Sequence, residues 1–582
     1  MSKLGVELHD KFAFFRLWAP FARSVAIQGE FSDWAEIPLA KSDQFETDGT
    51  WVTRIADVKP GQAYNYVIIG WRGERLVRND PRAKVLTDSD NGMSVIADET
   101  FDWDDDDAFR PAPLESQVLY ELHIGTFARP DAATTATFAD ATNKLDHLKE
   151  LGITTIELMP ITSMAAGFGW GYAPNAVYSV ESAYGGMFGL KNFVKEAHGR
   201  GIAVVLDVVY NHFLGGRAGL WQFDGWSEGD RGGIYFYNDQ RGDTPWGGRP
   251  DYGRAAVRDF ILDNVVMWLN DYHVDGLRLD STIYMRNVNG KNNDPAGDIA
   301  DAWQLLGDIT DLAHKVKPSA LMIAEDCAGN DWMTKSRHDN GCGFDTQWDL
   351  GLPHVIRGAL NIAGEPTGFG HLNDVMAQQF NGDWRQRIVF ADSHDTAANG
   401  GARIVSVAAA DPHNVNARQV AILSSAIALT TPGLPMLLAG SEFLQSGNFN
   451  DWQALDWDNL EQFAGIVTAH QHLIAPRRTQ YTDTTGLVSG EVNVLGADDG
   501  SRVLTYRRGN EQHPVIVIAS FNDQKLPGYV PPLPDGIWKV RFNSSWKGYS
   551  PDFSELKVDQ VTAGQSLDLP PYVVLILTQA VQ

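Results

Sequence analysis

Cysteine is nearly missing from this chain: two in 582 residues, Cys327 and Cys342. Two thiols build neither a disulfide framework nor a cysteine-based metal site, and they suit a reducing, cytoplasmic setting. Long apolar runs are missing as well. None approaches the ~20 residues of a membrane-spanning helix, and the opening MSKLGVELHD lacks the apolar stretch of a secretory leader. Basic charge is in deficit, with 47 Lys and Arg against 74 Asp and Glu, a formal net charge of −27. Such a surface disfavours phosphate backbones and anionic lipid, so neither nucleic acid nor membrane is expected as a partner. Repeats and low-complexity tracts are also lacking. What remains is an ordinary globular composition, 43% hydrophobic and 21% charged, rich in aromatics: 18 Trp, 17 Tyr and 27 Phe. Aromatic rings pack in cores and also on the C–H faces of sugars; for most of them the core is the expected place.

At ~150 residues per domain the length implies about four domains, or fewer if one is a large α/β barrel. Residues 1–110 read as strands and turns. Phe12–Trp18, Ser24–Gln28, Trp51–Ile55 and Tyr64–Ile69 are short β-rich runs separated by turn clusters, the pattern of a small antiparallel sandwich. Phe101–Pro113, containing DWDDDD, reads as a solvated linker. From Val118 onward short apolar runs alternate with helical spacing: Val118–His123, then a helix over Phe138–Leu151, a strand at Thr154–Leu158, and so on to Pro435–Ala439. About eight such units suit a barrel. After Arg478 the helical spacing stops, and Val492–Leu495, Val503–Tyr506, Val515–Ser520 and Val573–Leu577 read as strands. The expected fold class is therefore α/β: a (β/α)8 TIM barrel over residues 111–478, an N-terminal β-sandwich over 1–110 and a C-terminal all-β sandwich over 479–582.

Polar residues gather where several barrel strands end: DVVYNH (207–212), GLRLD (276–280), IAED (323–326) and DSHD (392–395). The C-terminal rim is where barrels of this type hold their chemistry. One such residue is better explained as a helix cap or a partner for a nearby arginine; four acidic strand ends, two of them with histidine, are not. Two carboxyl groups flanking a bond are the minimum for glycoside hydrolysis with retention, one attacking the anomeric carbon and the other moving the proton, ~5–5.5 Å apart. Neighbouring ends of the fourth and fifth strands are where such a pair is expected.

Those four strings, in this order, resemble the signature regions of glycoside hydrolase family 13, the α-amylase family. GWGYAPNAVYS and PGLPMLLAGSEF add to the likeness, while FRLWAPFARSVAIQGEFSDW followed by NDPRA resembles the family 48 carbohydrate-binding module. The resemblance implies Asp280 as nucleophile, Glu325 as acid/base and Asp395 as transition-state stabiliser. It implies that Arg278 keeps Asp280 ionised, that His212 and His394 donate hydrogen bonds to the sugar, that Tyr172 is its stacking platform and that Asp207 supports the cluster. Glu325 must then hold its proton at working pH, through burial and the nearby charge of Asp280. Trp170 is equally well a packing residue, and Asp326 points the other way along its strand. No cofactor and no required metal are expected: Asn211 resembles a position near the calcium of secreted amylases, but the rest of that cage is not evident. Trp18 and Trp51 belong to the core; Trp34, on a turn, is the better glucan-stacking candidate, and Trp546 in RFNSSWKGYSPDF reads as a packed turn residue.

Within the family two neighbours compete. YELHIGTF, GWGY and DVVYNHF resemble enzymes releasing trehalose from maltooligosyl trehalose. Ser393 before His394, and LAGSEF followed by Leu455-Asp456-Trp457, resemble glycogen and starch branching enzymes, although HDTAANGGARI lacks the acidic or Gln residue usual after HD there. The expected activity is 1,4-α-glucan branching on an α-glucan or maltooligosaccharide substrate. Amylase-like or trehalohydrolase-like hydrolysis is the alternative, and a non-catalytic glucan-binding protein is the alternative of another class.

Overall fold

The computed structural model describes residues 4–42, 49–89, 92–131, 133–164, 169–214, 219–361 and 367–579. Eight parallel strands close into a barrel: β1 (Leu119–Leu122), β2 (Thr155–Leu158), β3 (Ala203–Val208), β4 (Gly276–Leu279), β5 (Leu321–Ala324), β6 (Thr346–Trp348), β7 (Arg387–Phe390) and β8 (Leu434–Leu438). Every residue in them is buried. A strand covered on both faces reads as a continuous run rather than an alternation. Parallel neighbours need a crossover, and the main ones are α1 (Leu145–Leu151), α2 (Gly186–His198), α3 (Ala255–Asp271), α4 (Ala300–Val316), α5 (Gly351–Leu360) and α6 (Val415–Thr430). α7 (Ala464–Arg477) follows the last strand. Asp207 lies opposite Arg278, and Arg278 opposite Ile323, so the register sets the charged ends of β3, β4 and β5 side by side. Glycine is required where β4 begins: a Cβ on Gly276 would fall 2.0 Å from the Leu321 carbonyl oxygen.

The helix expected over Phe138–Leu151 is two pieces. Thr137 caps Phe138–Thr142, its hydroxyl accepting from the Asp140 N–H at 3.3 Å while Asp140 accepts from the Thr137 N–H at 2.8 Å. The chain then turns at Asn143–Lys144 before α1, with Leu145 and Leu148 still buried on the same side. The apolar spacing runs through the break, so periodicity alone does not reveal it.

Two antiparallel sheets form the N-terminal module. One pairs Gly5–His9, Phe12–Trp18, Thr50–Ala56 and Ala40–Lys41 in that order; the other is built on Ser24–Gly29 and Ala63–Ile69. Trp18 and Trp51 are core residues, the Trp51 indole donating to the Ala19 carbonyl at 2.9 Å, whereas Trp34 is 39% exposed on its turn. The module is seated on the barrel. Trp18 meets Tyr235 edge-on, with ring centres 5.3 Å apart, and Arg82 pairs with Asp263 at 2.8 Å. A six-stranded antiparallel sheet, ordered Val492–Asp498, Val503–Arg508, Val515–Ser520, Val574–Gln579, Ile537–Asn543 and Gln560–Thr562, forms the C-terminal part. Leu526–Tyr529 and Leu567–Leu569 make a second small sheet.

Phe101–Pro113 is not the solvated linker its charge run implies. Asp106 is buried between two imidazoles: His198 Nδ1 lies 2.7 Å from Oδ1 and His273 Nδ1 lies 2.6 Å from Oδ2. His198 reaches on through Nε2 to Asp275 at 2.7 Å, and Lys317 meets Asp275 at 2.7 Å. Trp103 stacks on His273 and Phe109 on His198, each with ring centres 3.9 Å apart. Asp275 precedes β4, so this clamp fastens the segment to the barrel end opposite the strand termini that carry DVVYNH and GLRLD. A single buried carboxylate was hidden among solvated ones. Among the described residues no helix is long and apolar enough to cross a membrane.

Candidate active site

Alternation along β4 sends Leu277 and Leu279 to one face and Gly276, Arg278 and, just past its end, Asp280 to the other. Arg278 is fully buried in the barrel interior, with its guanidinium 4.4 Å from the centre of the Trp348 ring of β6. Its Nη1 donates to Asp207 at 2.7 Å and to Asp280 at 2.9 Å, and its Nη2 lies 3.7 Å from Glu325. One cation thus joins the ends of β3, β4 and β5. Burial works against the charge of this arginine, but the neighbouring carboxylates Asp207, Glu325 and Asp280 outweigh it and keep the guanidinium protonated.

The two carboxylates at its ends differ in surroundings. Asp280 has a side-chain exposure of 16%, and its Oδ2 accepts from Asn211 Nδ2 at 2.7 Å while Oδ1 faces Arg278. Glu325 is only 4% exposed. Its Oε2 accepts the Ser281 backbone N–H at 2.6 Å, and its Oε1 accepts the Cys327 thiol at 2.9 Å. Burial pushes the Glu325 carboxyl upward; Arg278 and the thiol oppose that, and the charges of Asp280 and Asp395 add to it. Asp395 is 42% exposed, with its Oδ1 3.4 Å from His394 Nε2.

His394 is gripped from β1. Its Nδ1 lies 2.5 Å from Glu121 Oε1, and its backbone N–H donates to Glu121 Oε2 at 2.9 Å. Burial works against charge on this ring, but Asp395 and Glu121 outweigh it and raise the pKa to about 9. Tyr172 stacks on the imidazole at 5.3 Å and donates its hydroxyl to Asp207 at 2.5 Å. Asp207 is pushed up to about 7, by burial first and by Asp280, against the pull of Arg278. His212 is placed differently from the role the resemblance implies. Its Nε2 meets the Tyr172 carbonyl at 2.9 Å and its Nδ1 lies 2.5 Å from Asn211 Oδ1, so both nitrogens face protein oxygens and the ring fixes Tyr172 in place. Asn211, which resembles a position near the calcium of secreted amylases, directs its amide at Asp280.

All eight sequence candidates therefore meet at one rim. Asp326 turns away to Arg286, at 2.8 and 2.9 Å, and Asp392 pairs with Arg357. Trp170 packs edge-on against Phe449 and His394, at 5.4 and 5.7 Å. Sequence reasoning missed Glu121, Glu157, Cys327, Ser281 and Trp348. Glu157, opposite Glu121 on β2, is raised to about 8 by burial and by the charges of Glu121 and Asp207, against Arg278. A lone Glu inside each of the buried runs LYEL and TIEL was the available signal, since a carboxylate in a fully buried strand must face an interior partner. Among the described residues no group of His, Cys, Asp and Glu is arranged to hold a metal.

Comparison with known proteins accords with this geometry. Residues 122–219 match the α-amylase catalytic domain, 3–83 match carbohydrate-binding module 48 (the isoamylase N-terminal domain) and 494–580 match the α-amylase C-terminal all-β domain. The likeness to α-amylase-family proteins thus runs through the N-terminal, barrel and C-terminal parts of the chain. Its relatives include the malto-oligosyltrehalose trehalohydrolase of Saccharolobus solfataricus, 29% identical over 476 residues and covering 76% of each chain. The 1,4-α-glucan branching enzyme of Bordetella bronchiseptica is 28% identical over 570 residues, 92% of this chain and 75% of that one. Among solved structures, a putative α-amylase from Salmonella typhimurium superposes over the whole of both chains with a TM-score of 0.76 at 22% identity. A pullulanase from Anoxybacillus complexed with maltotetraose covers 99% of this chain and 87% of its own, with a TM-score of 0.75 at 19% identity. The chain is an enzyme whose homologues are α-amylase-family glycoside hydrolases and transferases.

Proposed function

We propose that this enzyme cleaves α-1,4-glucosidic bonds with retention and transfers the released chain to a sugar hydroxyl, forming α-1,6 branches. The observation that carries the reading is Arg278 spanning an open Asp280 and a buried Glu325, whose carboxyl pKa burial pushes upward, on adjacent strands. In the first step an Asp280 oxygen attacks the anomeric carbon and the glycosidic C–O bond breaks. Glu325 supplies its proton to the departing oxygen. Ser281 and Arg278 occupy the Oε2 side, so Oε1, beside Cys327, is the oxygen that carries that proton. In the second step the Glu325 carboxylate takes the proton of an incoming hydroxyl, the new C–O bond forms and Asp280 leaves the anomeric carbon. Asp395, with His394 behind it, is placed to hold hydroxyls of the sugar at the cleavage point. The stacked Tyr172 ring supplies the apolar wall.

Hydrolysis and transfer share the covalent intermediate and differ in what captures it. Branching is supported by the relatives of that name spanning 92% of this chain and by Ser393 before His394. The trehalohydrolase relative favours the second reading, hydrolysis of a maltooligosyl trehalose. Incubation with amylose, followed by iodine absorbance, reducing-end assay and NMR of the linkages, separates them. Branching lowers the iodine colour with little rise in reducing ends and creates α-1,6 signals; rising reducing ends, or free trehalose from maltooligosyl trehalose, overturns it. The reading includes a cytoplasmic setting, in which the free thiols Cys327 and Cys342 stay reduced.

A further inference from the structure

Away from the rim, the C-terminal domain carries a groove of about 470 Å³ between the strand Ile537–Asn543 and residues 555–559, with Trp546 and Tyr549 along its wall. That volume is within the range of small-molecule sites, roughly 300–1,000 Å³. Trp546 is not the packed turn residue its sequence suggests: 45% of it is exposed. The indole is nonetheless held. A Cβ on Gly548 would fall 2.4 Å from the ring, so only glycine allows the turn to lie this close beneath it. Tyr549 meets the indole edge-on at 5.0 Å and is itself fixed by His472 of α7, whose Nδ1 lies 2.8 Å from the phenol oxygen. An aromatic face presented in one orientation loses little conformational entropy when a ligand covers it.

The charges around the groove select against ions. Arg541, Lys557, Glu555 and Asp559 all line it, two of each sign, and Arg541 is already paired with Asp483. In a chain of net charge −27, a balanced groove beside an open indole matches a neutral ligand whose hydroxyls donate and accept equally and whose C–H face is apolar. We propose that this groove is a second carbohydrate site, which binds a segment of the same α-glucan chain outside the barrel rim. The proposal rests on the α-glucan reading above.

The test uses the full-length protein. In the Glu325→Gln background, which leaves polymer intact, mobility in native gels containing amylose or glycogen is compared with and without Trp546→Ala. The expected result is about tenfold weaker retardation on removing the indole, with Trp546→Tyr intermediate. In the otherwise wild-type enzyme, Trp546→Ala raises KM for polymer and leaves kcat/KM for maltoheptaose unchanged. Equal retardation of the two proteins overturns the proposal. So does parallel loss of polymer and maltoheptaose activity, because a platform remote from the rim does not act on the short substrate. A wild-type enzyme inactive on both substrates would count against the functional reading instead, and the gel comparison would still decide the groove.

Discussion

Arg278 is the residue on which the rim depends, because it is the cation that three acidic side chains share. Arg278→Leu leaves Asp207, Asp280 and Glu325 facing one another in a buried space. Loss of one partner from a buried ion pair costs about 3–5 kcal/mol, so the unfolding free energy from denaturant titration should fall by that order and amylose turnover should vanish. Glu325→Gln is milder for the fold, since the amide still accepts from the Ser281 N–H. Turnover should drop by about 10²–10⁴-fold with an unchanged melting temperature, and retention of most activity would sink the acid/base assignment. Cys327 gives a finer probe. Its thiol donates to the ionised form of Glu325, so Cys327→Ala should raise the carboxyl's pKa and carry the alkaline limb of the kcat/KM profile to higher pH. Cys327→Ser, a stronger donor, should move it lower. Identical profiles for all three proteins would show that the thiol does not act on Glu325. None of this was legible at Cys327, since nothing in IAEDCAGN says that the thiol turns back onto the carboxyl two residues earlier.

At the scale of elements, legibility followed the physics of burial. The ends of β3, β4, β5 and β7 could be read because a charged residue closing an apolar run has few structural explanations. The interior carboxylates of β1 and β2 gave a weaker signal, a lone Glu in each buried run, because strands covered on both faces lose the period-2 alternation that would have assigned Glu121 and Glu157 to the inside. The break before α1 was hidden because Leu145 and Leu148 keep the apolar spacing of a continuous helix. Asp106 was hidden by its neighbours in DWDDDD. Its clamp makes a pH prediction. The two imidazoles hold Asp106 well below the usual carboxylate range although burial opposes this; its contribution is present above about pH 4 and lost as pH falls through the lowered value. Burial opposes charge on His198, but Asp106 and Asp275 raise its pKa, so its contribution is complete below about pH 6.5 and fades as pH rises through the raised value. The difference in melting temperature between wild type and Asp106→Asn should therefore be widest between about pH 4 and 6.5 and narrow toward alkaline pH. A difference that is flat with pH would mean that the clamp is held by shape rather than charge.

Over the whole molecule, the three parts share surfaces rather than hanging on tethers. Trp18 and Arg82 bind the N-terminal module to the barrel, and Tyr549 is fixed by a histidine on α7. The sandwich–barrel–sandwich order could be read from changes in rhythm, but not these seams, which join residues far apart in the chain. Removal of residues 1–110 should thus do more than delete a carbohydrate-binding module: a protein beginning at residue 111 should melt earlier than the intact chain even with every rim residue present. Differential scanning calorimetry of the two proteins checks this, and an unshifted barrel transition would refute it.

Trp103, Asp106 and Phe109 have a practical corollary. They belong by sequence to the segment before the barrel, yet by packing they are part of the barrel's floor. A chimera exchanging N-terminal modules at residue 110 would strip that floor from its host and carry it to a barrel lacking His198 and His273. The graft point that keeps both partners whole lies upstream of Phe101.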